Sequence, residues 1–173
     1  MRILQLHCDN ITYEPTKKEI QSAEEIDPKL VSIDEVVVCF VAIEKDDNDD
    51  IAKDAISQIQ ESMKKIGCQK LLLYPYAHLS SNLASPSTAL SLLKMMESQS
   101  EGLDVSRAPF GWTKSYNVKV KGHPLAESSK VITSDTKKEK TSVALDSESK
   151  IKSYWYIMTP DGNMEEFDKF NFG

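Results

Sequence analysis

"EVVVCFVAIEKDDNDDIAKDAISQIQESMKKIGCQKLLLYPY", residues 35–76, decides how this chain folds. It opens with a run of β-branched and apolar residues long enough for a fully buried strand. In its middle Ile51, Ala55, Ile59 and Met63 recur at every fourth position, with Ala52, Ile56 and Ile66 on the same broad face. That stripe is the mark of an amphipathic helix. Asp49 or Asp50 is expected to cap its start and Gly67 to end it. "KLLLYPY" then reads as a second buried strand. A strand, a helix and a strand in that order predict a βαβ unit with parallel strands.

Outward from that unit, residues 1–8 read as a strand, with "ITYEPT" as its hairpin partner and Asp9-Asn10 as the turn. Residues 17–34, polar and interrupted by Pro28, read as an excursion between strands. A second helix is expected from Ser85-Pro86, burying Ala89, Leu90, Leu92, Leu93 and Met96, with Gly102 ending the segment. Residues 103–108 and 115–121 read as strands. In the latter, Tyr116, Val118 and Val120 are expected to face inward and Asn117, Lys119 and Lys121 outward. The predicted class is α/β, a mixed sheet with two main helices. Residues 1–135 form the main domain and residues 136–152, polar and without periodicity, a linker. Residues 153–173 begin a following segment, with a hairpin around Pro160-Asp161-Gly162.

The net charge of -6 argues against indiscriminate nucleic-acid binding through bulk positive charge. Acids crowd residues 44–54, whereas residues 107–126 hold Arg107, Lys114, Lys119 and Lys121 and no acid. A polyanion is expected to dock there if anywhere, although four spread charges read equally well as a solvated face. No apolar run approaches the roughly 20 residues that span a bilayer. The amino terminus is not a secretory signal, so a cytoplasmic location is expected. Cys8, Cys39 and Cys68 form no C-x-x-C pair and read as reduced core thiols. The sequence has no Gly-rich phosphate loop and no G-x-S-x-G, and its three histidines lack metal-ligand spacing. Neither a cofactor nor a metal is expected.

His78 stands just beyond a strand, and open α/β sheets gather ligands at the carboxyl ends of their strands. The start of the second helix would offer N–H groups to an anion nearby. In "RAPFGWTK", residues 107–114, Pro109 and Gly111 bracket a bent backbone. Phe110 and Trp112 there could stack on a base, and Lys114 could meet a phosphate or a developing oxyanion. Glu127 in "KGHPLAE" is an available base. The plainer readings, a loop histidine and a core turn with a surface lysine, stay open on these residues alone.

"MRILQLHCDNITYE", "YPYAHLSSNLASPSTA" and "APFGWTKSYNVKVKGHPLAE", in that order, resemble the N-terminal editing domain of archaeal threonyl-tRNA synthetase over about residues 1–135. The resemblance implies a D-aminoacyl-tRNA deacylase-like fold, a homodimer, and hydrolysis of serine mischarged onto threonine tRNA. It implies that the terminal adenosine is held so that its own 2′-hydroxyl and a water assist. It assigns Lys114, His78 and Glu127 to catalysis and Ala77 and Ile43 to substrate contact. The expected binding set also takes in Phe110, Gly111, Trp112 and Thr113. Thr113 stands where close relatives carry an aromatic residue, so that ring's role is lost or passes to Trp112. The partners implied are the acceptor end of tRNA(Thr) carrying serine and a fused or separate synthetase body. Two other readings remain: a non-catalytic tRNA-end binding module, suggested by the C-terminal aromatics, and a D-aminoacyl-tRNA deacylase.

Overall fold

The computed structural model of the chain describes residues 1–134, 155–158 and 161–166. Its first unit, Met1–Thr136, is built on β1 (Arg2–Lys18), β2 (Val31–Ala42), α1 (Asp49–Ile66), β3 (Lys70–Pro75), α2 (Pro86–Ser98), β4 (Asp104–Arg107), β5 (Trp112–Val120) and β6 (Glu127–Val131). The strands form one mixed sheet in the order β4-β3-β2-β1-β5, with β6 also paired to β1. β2, β3 and β4 run parallel, and β1 runs antiparallel to β2, β5 and β6.

The βαβ unit is formed as its sequence dictates, with Cys39 opposite Leu73 in a parallel ladder. The helix cap differs from expectation. Asn48, not Asp49 or Asp50, accepts from the N–H groups of Asp50 and Ile51 at 3.0 and 3.1 Å. Both aspartates then lie in the first turn, where their charge complements the helix dipole. Gly67 ends α1 at φ 77°, a conformation that suits a residue without Cβ. Ser85 caps α2 through the Thr88 N–H at 3.2 Å, while that helix stops at Gln99, ahead of Gly102.

The largest correction concerns Asp9-Asn10. No turn forms there, and β1 runs unbroken for 17 residues. In the pairing with β5, Cys8 faces Val120 and Asn10 faces Lys119, so Asp9 is the extra residue of a β-bulge. Across on β2, Glu35 sits at φ 51°. Each irregularity reverses the inward parity of its strand. Leu6 and Cys8 point inward before the bulge, Ile11 and Tyr13 after it. All four join one core with Val36, Val38, Phe40, Leu72 and Tyr74, so the far half of β1 curls over that face of the sheet. Lys121 Nζ clamps the kink, donating to Asp9 at 2.5 Å and Glu35 at 2.7 Å, and Lys119 reaches Asp9 at 3.1 Å. The opposite face, Val37, Cys39, Val41, Leu71 and Leu73, packs on α1 and α2.

β1 also changes partner along one edge, pairing β6 over Arg2–Leu6 and β5 over Cys8–Lys18. Of the inward face expected on β5, Val118 and Val120 are half-buried and Tyr116 is exposed. The cysteines are free, as expected, and burial pushes the Cys8 thiol up to about 11 and that of Cys39 to about 12. No helix among the described residues is long and apolar enough to cross a membrane. In the second unit, β7 (Tyr156–Met158) and β8 (Met164–Glu166) pair antiparallel, the hairpin expected there, with Gly162 at φ 86° between them. The linker expected at 136–152 falls outside the described residues.

The bulge makes Ile11 a core residue and leaves its neighbour Thr12 only half-buried. Ile11→Ala should therefore cost about 2–5 kcal/mol in urea unfolding, and Thr12→Ala under about 1 kcal/mol. Equal, small losses would restore the turn.

Candidate functional site

The carboxyl ends of β2 and β3 open onto a cavity of about 650 Å³. Val41, Ala42 and Ile43 form one side and Tyr74 to His78 the next. Leu83 and Ala84 with Pro86, Ala89 and Leu93 of α2 contribute a third side, and residues 110–114 with Tyr116 close the far side. Parallel strands end here together because the βαβ unit aligns them, the place where open α/β sheets take ligands. Of the residues singled out in the sequence, Ile43, Ala77, His78, Phe110, Gly111, Trp112, Thr113 and Lys114 all line this cavity.

Glu127 does not. It is exposed on β6 opposite Leu6, whereas Lys114 lies opposite Pro15. β5 and β6 occupy successive lengths of β1, so closeness in sequence separates the two along the sheet. Neither His7 nor Asp9 lines the cavity beside His78. His7 Nδ1 instead meets His123 Nε2 at 2.8 Å, and no group of three or more metal-ligating side chains exists among the described residues.

Lys114 is the chemically distinctive group. Its ammonium lies 4.9 Å from the Tyr74 ring centroid and donates to the carbonyls of Pro109 at 3.0 Å and Trp112 at 2.9 Å. Burial lowers its pKa to about 8, with Glu24 pulling weakly the other way. An ammonium has three donors, so among the described residues one remains for a ligand. Such a group is still mainly cationic at neutral pH and is poorly hydrated, which strengthens any hydrogen bond it gives. The phenol of Tyr74 is pushed above its ordinary range by burial, then by Tyr116, and stays neutral.

The turn that presents Lys114 is fixed from behind by a loop the sequence did not mark. Glu24 accepts Arg107 bidentately at 2.6 and 2.8 Å and the Phe110 N–H at 2.8 Å, while its carbonyl takes Trp112 Nε1 at 2.8 Å. The Arg107 hydrogen bonds hold the Glu24 carboxyl below its usual range despite burial. Gly111, at φ 79°, lets this loop approach: a Cβ there would stand 2.8 Å from Ala23 Cα. Thr113 Oγ1 donates to Glu19 at 2.6 Å on the rim.

His78 lies on a short 3₁₀ helix, Ala77–Leu79, exposed and edge-on to Tyr76 at 5.2 Å. Glu44 secures that segment by accepting from Ser80 at 2.5 Å and from Arg2 at 2.9 Å. Burial opposes its ionisation, yet bonds from Ser80, Arg2 and the Met1 ammonium hold its carboxyl at about 2. The cations of the basic stretch 107–126 all have partners. Arg107 is taken by Glu24 and Glu97, Lys119 and Lys121 by Asp9 and Glu35, and Lys114 by the cavity.

Residues 1–132 match the model of the archaea-specific editing domain of threonyl-tRNA synthetase. The chain is 64% identical over 177 residues to a threonine–tRNA ligase of Nitrosopumilus maritimus, covering 99% of this chain and 28% of that protein. It is 54% identical over 173 residues to the corresponding ligase of Cenarchaeum symbiosum, again covering 99% and 28%. It thus spans under a third of the length of these relatives. Among solved structures it is similar to a c-Myc DNA unwinding element binding protein, with TM-score 0.57 and 8% identity, over 76% of this chain and 98% of the other. At that identity the likeness is one of fold.

Two outcomes test the site's construction. Gly111→Ala should cost on the order of 1–3 kcal/mol and expose the Glu19 and Glu24 amides, whose partners are the Gly111 and Phe110 carbonyls, to hydrogen exchange. Unchanged exchange would remove the loop from the site's support. Folded Lys114 gives up its proton near pH 8, while the unfolded side chain keeps it to about 10.5. Between those values the unfolded chain binds more protons, so the stability increment rises with pH. Wild type should therefore gain on Lys114→Met in urea midpoint between pH 7.5 and 10; a constant difference would contradict the burial of the ammonium.

Proposed function

The chain belongs to the archaea-specific editing-domain family of threonyl-tRNA synthetase, and we propose that it deacylates serine mischarged onto threonine tRNA. The observation that carries this reading is the desolvated Lys114 ammonium, with a donor to spare, on the wall of a largely apolar cavity. Serine and threonine differ by one methyl group, worth only about 1–3 kcal/mol in a pocket, so accurate charging calls for a second sieve. A cavity that excludes that methyl and admits the smaller side chain performs the sieving by shape.

In the proposed reaction a water attacks the ester carbonyl carbon, the carbon–oxygen bond to the ribose breaks, and the ribose oxygen takes up a proton. The neighbouring 2′-hydroxyl of the terminal adenosine and the water carry the proton movements. Lys114 holds the 2′-hydroxyl or the developing oxyanion, a role that rewards a preorganised and poorly solvated donor. His78 and the Ala77 backbone border the ester, and Ile43, 3% exposed at the end of β2, is the apolar stop for the amino-acid side chain. The protein's contribution is chiefly position and exclusion of bulk water. Glu127 lies outside the cavity, and the proposed reaction assigns it no step. Thr113, bonded to Glu19, contributes no ring, and Trp112 is fixed by its own hydrogen bond.

Single-turnover assays on Ser-tRNA(Thr) and Thr-tRNA(Thr) test the proposal. The seryl ester should be lost rapidly, with or without a chelator, and the threonyl ester should survive. Lys114→Met should lower the rate constant about 100-fold or more with little change in tRNA binding. Stability of both esters in the presence of bound tRNA would sink the proposal in favour of a binding module.

A further inference from the structure

β2 and β3 run as a parallel ladder as far as Val41 opposite Pro75, and the bond from the Tyr76 N–H to the Val41 carbonyl, at 2.8 Å, closes it. Past that bond each chain lends residues to the cavity, Ala42 and Ile43 from one and Ala77 and His78 from the other. The chains meet again at an isolated antiparallel bridge, Glu44 opposite Leu83. There the Lys45 N–H donates to the Asn82 carbonyl at 3.1 Å and the Ala84 N–H to the Ile43 carbonyl at 3.0 Å. The wall around Ile43 is thus a ring of chain, shut by the ladder at one end and at Glu44 at the other.

Glu44 shuts it with its side chain as well. Its Oε1 accepts from Ser80 Oγ at 2.5 Å, one residue beyond the 3₁₀ turn that carries His78. Ser80 Oγ in turn accepts from the Asn82 N–H at 3.0 Å, and the Ser80 N–H donates to the Ala77 carbonyl at 3.2 Å. One serine therefore ties the turn and the loop after it to a single carboxylate. That carboxylate is itself fixed. Arg2 of β1 donates to it at 2.9 Å and the Met1 ammonium at 3.2 Å, while Asp47 accepts the Glu44 N–H at 2.6 Å. The Glu44 side chain is only 14% exposed, a setting in which charge-assisted bonds hold their geometry well. Neither Glu44 nor Ser80 lines the cavity.

We propose that the Glu44–Ser80 pair is a positioning clasp that sets the gap between Ile43 and the Ala77–His78 turn, and with it the preference for a seryl over a threonyl ester; this rests on the deacylation reading above. In that reading Ile43 stops the amino-acid side chain and Ala77 and His78 border the ester, so the room left for one more methyl is the distance between them. Contact energy falls off within a fraction of an ångström, and one methyl is rejected only by a wall that cannot give way. A ring open at the Glu44 end gives way.

Single-turnover rate constants on Ser-tRNA(Thr) and Thr-tRNA(Thr) read the clasp directly. Ser80→Ala, which removes only a half-buried hydroxyl, should speed loss of the threonyl ester and lower the seryl-to-threonyl ratio about 10-fold or more, with tRNA binding unchanged. Glu44→Ala should do the same, and the double variant no more than either single one. Ser80→Thr keeps a hydroxyl and should restore the ratio. Where Glu44→Ala fails to fold, the two Ser80 variants decide. A wild-type ratio in Ser80→Ala, an equal fall in both rate constants, additive losses in the double variant, or no rescue by Ser80→Thr would overturn the clasp. Survival of both esters with the wild-type chain would overturn the deacylation reading itself, and this inference with it.

Discussion

Everything on the site-bearing side of this fold depends on the kink at Asp9 and Glu35. A straight 17-residue β1 with strict alternation would turn Ile11 and Tyr13 away from the face that Leu6 and Cys8 cover. One extra residue on β1 and one positive φ on β2 restore the inward parity together, and the strand pair can bend over the sheet. The bend gathers two carboxylates, Asp9 and Glu35, at one point. Lys121 neutralises both, and its pKa is raised by Asp9 and then Glu35. Because the curl brings β5 across the aromatic core, Lys114 comes to lie on Tyr74 of β3, although β5 and β3 are not neighbours in the sheet.

The same geometry explains which parts of the structure were legible in the sequence. The βαβ unit was readable because its signals are local: two apolar runs, a four-residue spacing and a terminal glycine all fall within residues 35–76. The parity switch was not, because "CDNI" offers the same turn chemistry to a hairpin and to a bulge. Only the long-range pairing of β1 with β2 and β5 decides between them. β6 escaped notice for a related reason. "ESSKV" has a weak alternation and borrows its stability from β1. At the site, His78, Phe110, Trp112 and Lys114 were legible because chain reversals carry their own signal, whereas Ala77, Ile43 and Thr113 came only from the resemblance. Glu24, whose side chain holds the turn that presents Lys114 in place, sits in a polar loop with nothing to distinguish it from Glu19 or Glu25.

Around the cavity and the kink, charge is used inward. The basic stretch that invited a polyanion is spent on Glu24, Glu97, Asp9 and Glu35, which fix the cavity wall and the kink. Those pairs are partly exposed, so their worth lies more in geometry than in net stabilisation. Glu24 shows how. By accepting two bonds from Arg107 and one from the Phe110 backbone, it sets the bend that points the Pro109 and Trp112 carbonyls at the Lys114 ammonium. Those carbonyls and the face of Tyr74 together offset much of the cost of burying a cation.

A chain with net charge -6 and its central lysines already paired gains little from counterion release on a nucleic acid. Under the proposed function, recognition falls on the end of the polynucleotide, where stacking, shape and one or two directed hydrogen bonds act on a single nucleotide. The cavity has that composition: apolar walls from Val41, Ala42, Ile43, Ala89 and Leu93, the exposed ring of Tyr116, and one cationic donor. Under the proposed function, discrimination rests on what fits the cavity and not on how tightly the rest of the polymer is held.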